Sequence, residues 1–343
     1  MNTNQKKFSG EFRCVNKLGK LLGEKIRDQI TDADTSKERI RLAKAYPDWM
    51  RTGMKLAEEH TPLTHALLCG IADSVNLPYS EVFAGWYEEL TYIDTVDKER
   101  LKDTGCTDLV IKQGELIIAH TNDEAIDSES ELMKLGAAGF PEITAVFSGA
   151  SPSVACNSAG LVFSGNQIDA NDTRPGIPRS VLYMEACFSN TLDEARRILL
   201  NPHRASSFNN ILADYNGNVV NIEASAKASA EVPLDDGALV HTNHFIWLSD
   251  REGRVGKPLT GSKKRLSRAE EEIEELGEDF DVEDVIKIMK THGKGGLCRH
   301  NDIETDTCFS TLFLPERGIM IYGKGFPCSA TYRAYRFSKK GRP

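Results

Sequence analysis

Two strand-length apolar runs flank a glycine turn. Gly105-Cys106-Thr107-Asp108-Leu109-Val110-Ile111 precedes Gln113-Gly114, and Glu115-Leu116-Ile117-Ile118-Ala119-His120-Thr121-Asn122-Asp123 follows it. Runs of this length on either side of a Gly-containing turn predict a β-hairpin whose first strand begins at Cys106. The hairpin divides the chain into two halves of different character. Upstream, Leu18, Leu21, Leu22, Ile26 and Ile30 recur at helical spacing, and Pro62 opens a second helical run through Leu63, Leu67, Leu68 and Ile71. A third run, Val82, Phe83, Trp86, Tyr87, Leu90 and Ile93, is aromatic on its inner face. Core packing is its simplest reading, and lining of an acyl pocket the sharper one. The charged stretch from Asp94 to Thr104 then has the character of an exposed linker.

Downstream the pattern is mostly strand. Residues 143–149 and 153–156 lead through the turn Asn157-Ser158-Ala159-Gly160 to 161–167, which reads as a meander. Helical spacing returns over 180–188 and 192–200. Two runs then flank Tyr215-Asn216-Gly217-Asn218, whose Asn-Gly is a strong hairpin signal. Residues 239–245 read as a strand ending in polar residues, 266–276 as an acidic amphipathic helix, and Val282, Val285, Ile286 and Met289 as another helix. Cys308 to Leu314 and Ile319 to Tyr322 are closing strands. The expected class is therefore α+β, with a helical N-terminal segment.

Composition limits the function. A chain of 343 residues with 40% hydrophobic content can bury a substantial core. A net charge of -9 argues against a broad nucleic-acid or anionic-membrane surface, though not against a local basic pocket, and makes a small neutral or cationic ligand the easier partner. With no apolar signal segment at Met1 to Lys7 and no membrane-length run, the expectation is a soluble, cytoplasmic protein. The eight cysteines are far apart and include no Cys-x-x-Cys pair, so neither a zinc site nor a dense disulfide framework is expected, and most should be buried thiols.

Cys106 has two readings. It is a small buried strand residue, or it is the nucleophile of a chain that cuts its own Gly105-Cys106 bond. After such a cut one residue would hold both a thiol, with a reference pKa of about 8.5, and an α-amine of about 7.7 to 8.0 to act as its base. Gly105 suits the bent backbone that attack on its carbonyl requires.

Taken together, Gly105-Cys106-Thr107, Asn122-Asp123, Asn157-Ser158-Ala159-Gly160-Leu161, Asn216 to Glu223, His241-Thr242-Asn243-His244-Phe245 and Cys298-Arg299 resemble the isopenicillin N acyltransferase-like family of N-terminal-nucleophile hydrolases. The resemblance implies a four-layer αββα sandwich and a precursor cut into a helical leader, 1–105, and a catalytic part, 106–343. The halves would stay associated as a heterodimer, open to further homo-oligomerisation. It also implies roles: Cys106 as nucleophile, Asp123 as the carboxylate that orients it, Asn243 as oxyanion donor, and Arg299 as a holder of a carboxylate of substrate or protein. Thr107 and His244 would support the site from behind. The substrate would be a small N-acyl amide or an acyl-thioester such as a coenzyme A thioester, with no metal or organic cofactor. The chain departs from the family at Thr121, where an Asn is usual, and at Glu124, where an aromatic is usual. Glu124 would either favour a cationic group at the pocket mouth or face solvent.

Each residue also has a plain structural reading: Asp123 as a turn acid, Asn243 as a strand-end cap, Arg299 as a surface charge. Three overall readings follow. They are a self-processing amidohydrolase or acyltransferase, an uncleaved thiol hydrolase with His120, His241 or His244 as base, and a catalytically silent binding scaffold.

Overall fold

A computed structural model describes residues 10–31, 33–94, 105–126, 128–254, 256–277, 280–300 and 305–339. The expected linker around 95–104 lies outside them. Among the described residues, seven α-helices precede the hairpin: α1 (Glu11–Lys25), α2 (Arg27–Thr31), α3 (Ala33–Ala45), α4 (Pro47–His60), α5 (Pro62–Val75), α6 (Tyr79–Gly85) and α7 (Glu89–Asp94). The hairpin itself is β1 (Gly105–Gln113) and β2 (Glu115–Ala125), turning at Gly114 with φ 83°. A meander follows, β3 (Glu131–Leu135), β4 (Ile143–Phe147), β5 (Pro152–Asn157) and β6 (Val162–Asn166), then α8 (Arg179–Cys187) and α9 (Leu192–Leu199). Next come β7 (Phe208–Ala213), β8 (Val219–Ala224), β9 (Ser229–Pro233), β10 (Gly237–His241), α10 (Gly256–Glu274) and α11 (Val282–Met289). The chain closes with β11 (Thr305–Leu314), β12 (Ile319–Lys324) and β13 (Arg333–Arg336).

The strands form two antiparallel sheets, ordered β10-β1-β2-β11-β12-β13 and β3-β4-β5-β6-β7-β8-β9. Alternation along the hairpin shows how they stack. Val110, Leu116 and Ile118 join Val146, Val154, Val162 and Ile211 in a core between the sheets. Leu109, Ile111, Ile117 and Ala119 face the other way, against Ala269 of α10 and Val285 and Met289 of α11. Because both faces are covered, the strands read as continuous apolar runs instead of alternating ones. The outer face of the seven-stranded sheet packs under α1 and α4 to α9 through Phe147, Phe163, Leu212 and Ile222. The result is the expected four-layer αββα sandwich.

The N-terminal helices belong to that outer layer. Glycines let α1 and α5 approach closely: a Cβ at Gly19 would stand 2.0 Å from the Leu67 carbonyl oxygen, and one at Gly70 2.1 Å from that of Asn16. The two halves of the chain also cap each other's helices. Glu185 of α8 accepts the backbone N–H of Leu63 and Thr64 at the start of α5, at 3.3 and 2.7 Å. Glu89 of α7 accepts Arg179 N–H at the start of α8, at 2.8 Å, and the Ser206 hydroxyl at 2.6 Å. Each carboxylate satisfies N–H groups that a helix terminus leaves without an intrahelical partner.

Several expectations need adjusting. The aromatic run is two short helices, α6 and α7, with Phe83, Trp86, Tyr87 and Leu90 in the core. The acidic helix is the C-terminal half of α10, which begins at Gly256. The strand expected over 239–245 ends at His241, and 242–248 is a loop. Strands β9 and β13 are half-exposed and short of large apolar residues, so they carry no core-strand signal. Among the described residues, no helix is long and apolar enough to cross a membrane.

Candidate active site

A cavity of about 120 Å³ opens where the N-terminal end of β1 meets β6 of the opposite sheet. Cys106 is in its wall, facing the inter-sheet side like Val110. Gly105, Asn122, Glu124, Gly165, Gln167 and Asn243 surround the thiol, and Glu88, Arg179, Tyr183 and Phe208 enclose the far side.

Asn243 grips Cys106 at both of its reactive atoms. The Cys106 N–H donates to Asn243 Oδ1 at 2.9 Å, and Asn243 Nδ2 lies 3.2 Å from Cys106 Sγ. The same Nδ2 donates to the Gln167 carbonyl at 3.0 Å. The strand-end loop is held in place for this. Glu223 of β8 accepts the N–H groups of Ile246, Trp247 and Leu248 at 2.6 to 2.9 Å, and His241 at 2.9 Å. His241 also meets Asn166 at 2.9 Å, so one imidazole ties β10 to both β6 and β8 of the facing sheet. From α10, Ser262 accepts the Asn243 backbone N–H at 2.8 Å.

Asp123 is paired with Gly105 in the hairpin ladder but points to the opposite face, toward α10. Its Oδ1 accepts the Thr307 hydroxyl at 2.7 Å, and its Oδ2 lies 3.9 Å from Arg265 Nε and 3.7 Å from Arg299 Nη1. Arg265 in turn donates through Nη2 to Asn243 Oδ1. Asp123 thus borders the Cys106 cavity and is linked to Cys106 through Arg265 and Asn243. Gly105 leaves the room this needs, since a Cβ there would lie 2.2 Å from Arg265 Nη2 and 2.5 Å from Asn243 Oδ1.

Arg299 does not line the Cys106 cavity. The carboxylate it meets is the protein's own Asp123, and it borders a separate cavity of about 460 Å³ with Lys264, Arg265 and Lys294. Thr107 points away from the thiol, and its buried hydroxyl has no hydrogen bond among the described residues. His244 contacts Ser262 Oγ at 2.8 Å and Thr242 Oγ1 at 3.2 Å, which places it behind Asn243. Burial, with the neighbouring His241, lowers its pKa to about 4, so the ring is neutral near pH 7. His120 is occupied by Asp108 at 3.1 Å. Among the described residues, no histidine lines the cavity.

Burial raises the Cys106 thiol to about 11, helped by the charge of Asp108 and opposed by hydrogen bonds from Asn166 and Asn243. In the uncut chain it is thus a thiol at neutral pH, in need of a base. Glu124 does not face open solvent: it lines the cavity, accepting Asn122 Nδ2 at 3.1 Å. Burial raises it to about 7, with the charges of Glu88 and Asp123 adding to the rise. Burial acts the same way on Glu88, but Arg179, 2.7 Å away, brings it below the ordinary carboxylate range.

Arg265, Glu88 and Arg179 were not singled out by sequence reasoning. Arg265 lies on the part of α10 that has no apolar periodicity, and Glu88 sits between two short helices of the N-terminal half. In α10 Arg265 follows Ser262 by three positions, so the two share a helix face, but the helix expected from the sequence, 266–276, begins after both.

A model of the acyl-coenzyme A:6-aminopenicillanic acid acyl-transferase family matches residues 110–324. Comparison with curated proteins found no match. Among solved structures, the chain is similar to a Caenorhabditis elegans N-acylethanolamine-hydrolyzing acid amidase ortholog, at 18% identity and TM-score 0.44, over 61% of this chain and 93% of that one. It is also similar to the penicillin V acylase of Agrobacterium tumefaciens, at 13% identity and TM-score 0.44, over 68% of this chain and 88% of that one. A conjugated bile acid hydrolase variant from Clostridium perfringens gives 10% identity and TM-score 0.44, over 69% and 98%. With more than half of its length matched by the family model, the chain belongs to the acyl-coenzyme A:6-aminopenicillanic acid acyl-transferase family.

Proposed function

We propose that the protein is a self-processing cysteine amidohydrolase or acyltransferase acting on a small N-acyl amide or acyl-thioester. The observation that carries this reading is the double contact of the Asn243 amide with the N and Sγ of Cys106 at a cavity wall free of histidine among the described residues. A thiol raised to about 11 requires a base, and among the described residues no imidazole lines the cavity to serve as one. The α-amine that a cut would create lies on the same residue.

In processing, Sγ attacks the Gly105 carbonyl carbon, the peptide nitrogen leaves with a proton, and water hydrolyses the resulting thioester to a Gly105 carboxylate. The freed Cys106 amine then takes the thiol proton during attack on substrate. Asn243 Nδ2, already 3.2 Å from Sγ, donates to the oxyanion. The leaving amine or thiol takes the proton, and water or an amine acceptor releases the acyl group from sulfur. These steps need no metal or organic cofactor.

The cavity has room for a short acyl chain against Tyr183 and Phe208, with Glu124 and the Glu88-Arg179 pair at hand for a polar or cationic group. Mass spectrometry of the purified chain is the test. The expected result is two fragments, one beginning at Cys106, and a single inactive full-length chain for Cys106→Ala. A Cys106→Ala protein that is still cut at the same bond would assign processing to another protease.

A further inference from the structure

Four metal-ligating side chains converge away from the Cys106 cavity, and none takes part in the chemistry above. His292 follows α11, Cys298 and His300 lie on the segment leading toward β11, and Cys328 is on the loop between β12 and β13. Their donor atoms all lie within 4.8 Å of one another. We propose that His292, Cys298, His300 and Cys328 form a structural zinc site.

The geometry suits that ion. With zinc–sulfur and zinc–nitrogen bonds of about 2.3 and 2.05 Å, a tetrahedral site separates a sulfur from a nitrogen by about 3.6 Å. Cys328 Sγ is 3.6 Å from His300 Nε2. His292 Nδ1 is 3.0 Å from the Cys298 carbonyl oxygen, so that nitrogen carries the proton and Nε2 keeps its lone pair for the metal. A ring nitrogen bonded to a backbone carbonyl is the usual outer support of a ligating histidine. Both thiols are free, and the cluster contains no carboxylate, a soft donor set that favours zinc over calcium or magnesium. Two thiolates balance the charge of the ion. Four protein donors leave no open position, so the role is structural and not catalytic.

The spacing hides the site from a motif search. Cys328 is 28 residues from His300, and the sequence has no Cys-x-x-Cys pair. The ion would fasten the loop after β12 to the segment bearing Arg299. That segment is already tied to β11, with Arg299 N–H donating to Thr307 Oγ1 and Thr307 N–H to the Arg299 carbonyl, both at 2.8 Å. Arg299 reaches Asp123 from this anchored position.

The test is metal content of the full-length chain, produced with added zinc and purified without chelator under reducing conditions. About one zinc per chain is expected, with replacement by cobalt giving the absorption of a tetrahedral, thiolate-bound ion. Cys328→Ser, at an exposed loop position, should fold and retain less than about a tenth of that zinc. Its thermal midpoint should fall to that of chelator-treated wild type. A wild-type chain that binds neither metal overturns the proposal, as does a Cys328→Ser chain that keeps its full zinc. Recovery of Cys298 and Cys328 as a disulfide from the reducing preparation overturns it as well.

Discussion

At Asn243 one side-chain amide holds both the nitrogen and the sulfur of Cys106, so its removal should affect turnover far more than folding. Asn243→Ala is expected to lower kcat/KM of processed enzyme by two to three orders of magnitude, about what loss of one oxyanion donor costs. A loss below about tenfold would move the oxyanion role elsewhere. Gly105→Ala tests the neighbouring position. The added Cβ must displace Arg265 or Asn243, so self-cleavage should slow strongly while the thiol stays intact, as followed by the appearance of the Cys106 fragment over time. Glu124 provides the pH dependence. Its folded pKa, about 7, is above its ordinary value of 4.5, so its contribution to stability is complete below 4.5 and is lost as pH rises through about 7. Glu124→Gln should therefore leave the melting temperature nearly unchanged at pH 4 and raise it relative to wild type at pH 8. An equal shift at both pH values would mean that this carboxyl does not titrate in the cavity.

At the scale of elements, the site depends on α10 being placed against the hairpin. Ser262 and Arg265 leave this helix on one face, the first holding the Asn243 backbone and the second linking Asn243 Oδ1 to Asp123. Arg265 is 3% exposed, and its loss would leave the buried Asp123 with the Thr307 hydroxyl and the Arg299 guanidinium, 3.7 Å away. Arg265→Gln should cost about 3 to 5 kcal/mol in urea unfolding, the usual penalty for breaking a buried pair from one side. As a positioning residue it should also reduce kcat without a matching rise in KM. The sequence made part of this arrangement legible. Leu109-Val110-Ile111 and Leu116 to Ala119 announced a β-hairpin, and Cys106, Asp123 and Asn243 could be marked from the segments around them. The path between them could not be read. Asp123 and Cys106 point to opposite faces of the hairpin, and the link runs through a helix whose first half is polar and lysine-rich. Polar buried contacts of this kind have no period in sequence, whereas apolar burial does. The half-exposed edge strands β9 and β13 went unseen for the same reason.

At the scale of the molecule, the N-terminal helices are part of the outer layer and not an appendage to it. Leu67, Ile71, Phe83, Trp86 and Leu90 share one core with Phe163, Val181, Met184 and Leu212 from beyond Gly105. Glu185 caps α5 from the far side of the proposed cut, and Glu89 caps α8 from the near side. Glu88 of the same segment lines the cavity and is ion-paired to Arg179. If Gly105-Cys106 is cut, separating the halves would expose this shared core and leave two buried carboxylates without their N–H partners. The halves should therefore co-elute from a sizing column after processing. In rising urea, release of the N-terminal fragment should coincide with loss of tertiary structure followed by near-ultraviolet circular dichroism. Produced alone, residues 106–343 should be insoluble or molten, and co-production with the N-terminal half should restore solubility. A C-terminal fragment that stays soluble, with the near-ultraviolet spectrum of the complex, would show that the outer helical layer is dispensable and that the reciprocal caps do not hold the halves together.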